Sequence, residues 1–173
     1  SGWLSLTTAI DGTTDYVTLN ATDAKSDLAS YSMTSSVVNF GGASTAVNKS
    51  SDEHVAYAFA EIEGYSKAGS YTGGGATSVF VYTGFRPALV ITKAASATSN
   101  WMIFDNKREP YNWQGLQLYP NLSNAEFDGN DNRIAFHSNG FRLNYNSGET
   151  NGSGVTYFYL AFAEQPFKYA NAR

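Results

Sequence analysis

Short apolar runs recur along the whole chain, each bounded by polar, turn-forming residues. The runs read VVNF, HVAYAFAEI, SVFVYTGF, ALVITK, WMIFD, RIAFH, GFRLNY and VTYFYLAFAE, rich in Val, Ile, Phe, Tyr and Thr. Such β-branched and aromatic stretches fit a pleated, half-buried surface. Between them lie DGTTD, FGGAST, YTGGGAT, SATSN, DGNDN, HSNG and NSGETNGSG, whose Gly, Asn, Asp and Ser favour tight turns. Only NATDAKSDLAS is expected to make a helical turn. The pattern predicts an all-β fold of antiparallel strands, in β-sandwich or jelly-roll-like units.

Two of the runs share a phrase. HVAYAFAE ends at Glu61 and YFYLAFAE at Glu164. In the first, Val55, Tyr57, Phe59 and Glu61 alternate with Ala56, Ala58, Ala60 and Ile62. In the second, Phe158, Leu160 and Phe162 alternate with Tyr159, Ala161 and Ala163. Apolar residues on both sides of the alternation predict strands covered on both faces, so both are expected in the core.

The likeness extends upstream at an offset of 103 residues: Tyr16 with Tyr119, Leu19 with Leu122, Ser35 with Ser138, Asn48 with Asn151 and Ser50 with Ser153. Apolar meets apolar at Tyr31 and Ile134, Met33 and Phe136, Val38 and Phe141, Phe40 and Leu143. Trp3-Leu4 aligns with Trp101-Met102 at an offset of 98, implying five extra residues in the second loop, where DNKREPYNWQG stands. This is the signature of a duplication. Residues 1–70 form the first copy and 71–173 the second. The second has a strand-bearing lead-in before its Trp, SYTGGGATSVFVYTGFRPALVITKAASATSN, and the first has only Ser1-Gly2. A sandwich that loses a strand pair exposes its neighbours' backbone. The first copy is therefore expected to lack its N-terminal strands, and the chain to be the C-terminal piece of a longer polypeptide.

Several phrases carry a resemblance: HVAYAFAEIEGYSKAGSYTG, VYTGFRPALVITK, NWMIFDNKREPYN, LYPNLSNAE, HSNGFRLN and AFAEQPFKYANAR. Together they resemble a domain that recurs, often without assigned function, near the C-terminus of structural proteins of tailed bacteriophages. His54 stands where that pattern has Tyr. The resemblance is closest from Ser51 to Arg173 and looser from Trp3 to Ser50. It implies a virion protein of the distal tail fibre, exposed on the particle surface and touching a host receptor, glycan by preference. It also implies assembly with other copies, a homotrimer by analogy, and contact with other virion proteins. A head-fibre, decoration or collar protein of purely structural role is the alternative, as is a secreted carbohydrate-binding module.

Composition narrows the chemistry. A net charge of −4 and a pI near 5.0 speak against nucleic acid as partner, since phosphate binding needs a basic face. No apolar run approaches the ~20 residues of a spanning helix, so no membrane insertion is expected. Cysteine is absent, which leaves burial or assembly to stabilise the chain.

No enzyme is expected. His54 and His137 lack a nucleophile partner, and GxSxG, HExxH and CxxC motifs are missing. Glu61 and Glu164 recur by duplication and are read as strand-end residues holding backbone N–H groups, not as a hydrolytic pair. YTGGGAT precedes a strand and not a helix, which rejects a phosphate loop. DGNDN places Asp128, Asn130 and Asn132 at calcium-loop spacing, but Arg133 stands where glycine is needed and Asn139 where a bidentate Glu is needed. It remains a weak metal candidate, and no cofactor is expected. Four Asn-x-Ser/Thr sequons, at Asn20, Asn48, Asn121 and Asn151, arise easily in this composition. The candidate ligand site is the loop DNKREPYNWQGLQLYPN: Tyr111, Trp113 and Tyr119 offer rings for sugar C–H faces, and Arg108 and Gln114 offer donors for hydroxyls.

Overall fold

The computed structural model describes residues 2–42, 47–128 and 133–164. Its described residues contain no helix. In chain order the strands are β1 (Leu4–Thr7), β2 (Asp15–Thr18), β3 (Ser26–Asp27), β4 (Ser32–Met33), β5 (Val38–Asn39), β6 (Ser66–Thr72) and β7 (Val79–Tyr82). There follow β8 (Pro87–Ala94), β9 (Trp101–Asp105), β10 (Leu116–Gln117), β11 (Phe127–Asp128), β12 (Ile134–His137), β13 (Gly140–Leu143) and β14 (Thr156–Ala163). All pairings are antiparallel. The fold is all-β and sandwich-like, as the alternation predicts.

A four-stranded sheet, in the order β6-β14-β8-β9, is the middle layer. One face packs on the three-stranded sheet β12-β13-β7, burying Val90, Met102, Phe104, Ile134, Phe136, Phe141, Leu143, Tyr157 and Ala161. Its other face packs on the N-terminal β1-β2-β3 sheet through Ile10, Val17, Trp101 and Phe158. β14 shows why its sequence is apolar throughout: Tyr157, Tyr159 and Ala161 enter one core, and Phe158 and Leu160 border the other. A strand buried on both faces loses the polar half of the usual alternation.

β6 answers that bulk with a small residue. Gly69 pairs with Tyr159, and a Cβ on it would lie 2.7 Å from the tyrosine ring. The adjoining turn is fastened by Asn151, whose amide donates to the Gly75 and Thr77 carbonyls and accepts from Gly74 N–H at 2.8 Å. The N-terminal stretch is also stitched to β8 and β9. Trp101 Nε1 donates to Thr18 O, Lys93 Nζ to Thr22 O, and Lys25 N–H to Ala95 O. β6 crosses position 70–71, so its first residues belong to the same sheet as β14.

Two expectations fail. NATDAKSDLAS makes no helical turn; it runs from a turn into β3, because Asp15 and Tyr16 pair with Asp27 and Ser26. The other failure concerns HVAYAFAE, which is neither a strand nor buried: Val55, Tyr57 and Phe59 are 72%, 75% and 67% exposed. Among the described residues, Val55 to Phe59 show no main-chain hydrogen bond. Without neighbouring strands to take up its N–H and C=O groups, β-propensity alone does not make a strand.

Hairpins do recur. Asp15↔Asp27 and Tyr16↔Ser26 repeat as Leu116↔Asp128 and Gln117↔Phe127, and Ser32↔Asn39 and Met33↔Val38 as Ala135↔Arg142 and Phe136↔Phe141. The offset is 101 in the first hairpin and 103 in the second. Tyr16 thus stands at the place of Gln117 and not of Tyr119. The five extra residues divide between the loop after β9 and the connection from β11 to β12.

Candidate functional site

The loop after β9 is braced from inside. Asp105 accepts from the N–H groups of Lys107 and Arg108, both at 2.9 Å, an Asx-type turn. The Arg108 guanidinium bonds the carboxylates of Asp105 and Glu126 and the Ile103 carbonyl. Burial pushes the Asp105 carboxyl up, but Arg108 and the two N–H groups outweigh it and hold it below the usual range. Burial likewise opposes the charge of Arg108, and its two carboxylate partners more than restore it. Glu109 accepts from Gly115 and Leu116 N–H at 2.6 and 2.7 Å. Asn112 bonds both the N–H and the carbonyl of Phe136 on β12.

Of the five candidate ligand residues, three are committed elsewhere. Arg108 is engaged as above. Gln114 is buried, pairs its backbone with Ile134 and donates to Tyr111 O. Tyr119 is partly buried and donates its hydroxyl to Gln117. Tyr111 stands out at 84% exposed, with half-buried Trp113 two residues on. The structure therefore leaves two aromatic side chains on a stiff loop, without the polar set the sequence suggested around them. A shallow, open depression close by is lined by Asn100, Tyr119, Leu122, Asn124, Glu126 and Phe127.

Asp128 ends β11 and is exposed, while Asn130 and Asn132 lie outside the described residues. A different carboxylate cluster escaped the sequence reading. Asp11, Asp15 and Asp27 converge on Lys25 Nζ at 2.6, 2.7 and 2.7 Å. Sequence spacing gave no sign of it, since the β2–β3 pairing is what sets Asp15 beside Asp27. Lys25 holds the Asp11 and Asp27 carboxyls low, whereas burial pushes Asp15 up. The ammonium already occupies the centre of the cluster, so a metal ion there would have to displace it.

The remaining titratable candidates do structural work. Glu61 accepts from Ala68 N–H at 3.2 Å, and Glu164 meets Arg86 through its N–H and its carboxylate. His137 closes β12. Each sequon asparagine is also engaged: Asn20 and Asn121 accept from the N–H of Trp3 and Trp101 at 2.8 and 3.0 Å, the same contact at the two ends of the repeat.

The most exposed apolar surface lies elsewhere. Trp3, Val37, Val38, Phe40, Val55, Tyr57, Phe59 and Ile62, all in the first 62 residues, are 8 of the 14 exposed large apolar side chains among the described residues. Several repeat counterparts are covered: Trp3 is 58% exposed against 2% for Trp101, Val55 72% against 7% for Phe158, and Val38 and Phe40 37% and 41% against 0% for Phe141 and Leu143.

A family model for a domain of unknown function, DUF7483, matches residues 1–166. The chain belongs to the DUF7483 family. The match runs across both stretches of the repeat, so the shared core and the stitched seam lie within one DUF7483 unit. No curated protein and no solved structure matches this chain.

Proposed function

We propose that this DUF7483 chain is an assembly and adhesion module of a bacteriophage virion, seated in the distal part of a tail fibre and without enzymatic activity. The observation that carries the assembly half is the uncovered apolar surface of residues 3–62. Apolar exposure concentrated in one stretch of the chain marks surfaces meant to be covered, and each large side chain removed from water contributes about 1.5–3 kcal/mol. A symmetric oligomer, a homotrimer by analogy with fibres, covers it on every subunit at once. The phage setting rests on the resemblance of the long phrases from Ser51 onward.

Adhesion falls to the braced loop. Tyr111 projects from a backbone fixed by Asp105, Glu109 and Asn112, and a rigid ring binds a sugar face at little cost in conformational entropy. Weak single sites gain avidity when a fibre presents several. A purely structural role, as in a head-fibre, decoration or collar protein, is the second reading. It is favoured by the engagement of Arg108, Gln114 and Tyr119 in internal contacts.

Native mass and glycan retention test the pair of roles. Adhesive function requires an oligomer that is retained on a bacterial-surface glycan array, with retention lost in Tyr111→Ala and the oligomer unchanged. An oligomer that ignores every glycan leaves the structural role, and a monomer that binds nothing removes both.

A further inference from the structure

We propose that residues 54–61 are an acceptor strand, built to lie between two strands of the β6 and β8 type that come from another polypeptide segment of the same family. The inference rests on the assembly reading above and names the partner of that surface. Its basis is a residue-by-residue correspondence between this segment and β14.

The correspondence is structural as well as sequential. Lys49 N–H donates to the His54 ring nitrogen Nε2 at 3.3 Å, and Gly152 N–H donates to the Tyr157 hydroxyl at 2.8 Å. These are the same two positions at an offset of 103, each joined by a backbone N–H donating to the tip of the side chain. It comes immediately before each AFAE segment and sets the direction in which each leaves the preceding turn. The two upstream hairpin registers also recur. The two segments thus start from the same place in the same local frame.

They differ in their neighbours. β14 pairs along its length with β6 on one side and with β8 on the other. Residues 54–61 pair with neither, touching β6 only where Ser66 Oγ donates to the Ala60 carbonyl and Ala68 N–H to the Glu61 carboxylate, and among the described residues Val55 to Phe59 show no backbone–backbone hydrogen bond. The supporting residues show the same vacancy. Asn151 fastens the β6–β7 turn, whereas Asn48 turns back to the Phe40 and Gly42 carbonyls at 3.5 and 3.1 Å. β9 pairs with β8, whereas its counterpart β1 pairs, among the described residues, with β2 alone. Each position that would touch a β6–β8 lead-in in the N-terminal stretch is present and unengaged with one. Strand addition to a free edge is an established mode of recognition, with main-chain bonds giving affinity and alternate side chains giving register.

The chain's own β6 and β8 are occupied by β14, so the donor is a second segment. Its register follows from β14: a donor residue at the place of Ala68 faces Tyr57, and one at the place of Gly69 faces Ala56. Here the two sites part company. Opposite Tyr159 only glycine fits, but opposite Ala56 a side chain is tolerated.

The test uses the whole chain and a labelled synthetic peptide of residues 66–94, which carries β6, the turn, β7 and β8 in their native sequence. Saturable binding is expected, with amide exchange at 55–59 slowed at least 100-fold by the peptide and unchanged at β14. A peptide bearing Gly69→Ala should bind as well as the parent, because Ala56 stands where Tyr159 would clash. Ala58→Pro in the chain should abolish binding, since proline cannot serve in a central strand, while the melting temperature stays within about 2 °C of the parent. Absence of binding overturns the proposal, as does binding that is indifferent to Ala58→Pro or lost with Gly69→Ala, which would mean exchange around β14. Protection of 55–59 by self-association without peptide overturns the choice of partner and leaves the assembly reading in place. A chain that neither binds the peptide nor associates at any concentration removes both.

Discussion

Residues 54–61 and 157–164 end in the same four letters and live in opposite surroundings. Phe162 and Ala163 close a strand with partners on both sides; Phe59 leans edge-on against Phe162 at 5.8 Å from the solvent side. Alternation and propensity are nearly equal in the two. Backbone satisfaction is not: an N–H in β14 finds a carbonyl on β6 or β8, and one in 55–59 finds no backbone carbonyl among the described residues. The difference teaches that strand character in such a segment is conferred by its neighbours, and that an apolar stretch left without them is a surface awaiting cover.

The largest effects should come from breaking the covered member. Ala161→Pro removes a ladder bond in the middle of the central sheet, where the residue is fully buried. A loss of more than about 3 kcal/mol is expected, enough to abolish cooperative unfolding by urea, against less than about 0.5 kcal/mol for Ala58→Pro. Comparable losses for the two would refute the contrast.

The tryptophans give the same contrast through side chains. Trp101→Ala empties a site in the seam core and gives up its bond to Thr18 O, a cost of about 3–5 kcal/mol. Trp3→Ala, on an exposed ring whose backbone, bonded to Asn20 and to Leu19 N–H, stays in place, should cost under about 1 kcal/mol in the isolated chain. In an assembled oligomer the Trp3 cost should rise toward that of Trp101, which chemical unfolding at low and high protein concentration would detect.

Lys93 sharpens the comparison at the seam, since it belongs to β8, the strand that residues 54–61 lack. Its side chain is fully buried, with Nζ on the Thr22 and Ala94 carbonyls. Burial lowers its ammonium from 10.5 to about 8. Between pH 8 and 10 the unfolded chain holds this proton and the folded chain has released it, so stability should rise with pH. Below pH 8 both states are protonated, and the burial cost is carried in full. Above about pH 10 buried Tyr71 and Tyr157, whose hydroxyls burial keeps protonated, act the other way. Lys93→Met should flatten the rise and raise stability at pH 7 by about 1–3 kcal/mol, as followed by urea midpoints across pH.

The smallest expected effect is at the rim. Tyr111→Ala, on an 84% exposed ring, should change stability by under about 0.5 kcal/mol and show only in glycan retention.

Much of the fold could be read in advance, for identifiable reasons. Period-two alternation and Gly/Asn punctuation located β7, β8, β9, β12, β13 and β14, because a strand with a core on one or both faces needs that pattern. The repeat was visible because matched hairpins preserve matched side chains, as in Met33 and Val38 against Phe136 and Phe141. The candidate site was less legible. Arg108 and Gln114 look like ligand donors in a polar loop, and only the fold discloses that Glu126 and the Ile134 backbone hold them. The Lys25 cluster was invisible because its acids come from a turn and two strands that meet only after pairing.

The sequence by itself determined that the chain makes strands, where most of them turn, and that its two stretches share a pattern. These are local consequences of side-chain shape, backbone preference and ancestry. Tertiary structure alone decided which of two near-identical segments became a strand, since hydrogen bonding between strands and burial of both faces depend on residues distant in the chain. Tyr157 to Ala163 find those residues on β6 and β8; Val55 to Phe59 find none among the described residues.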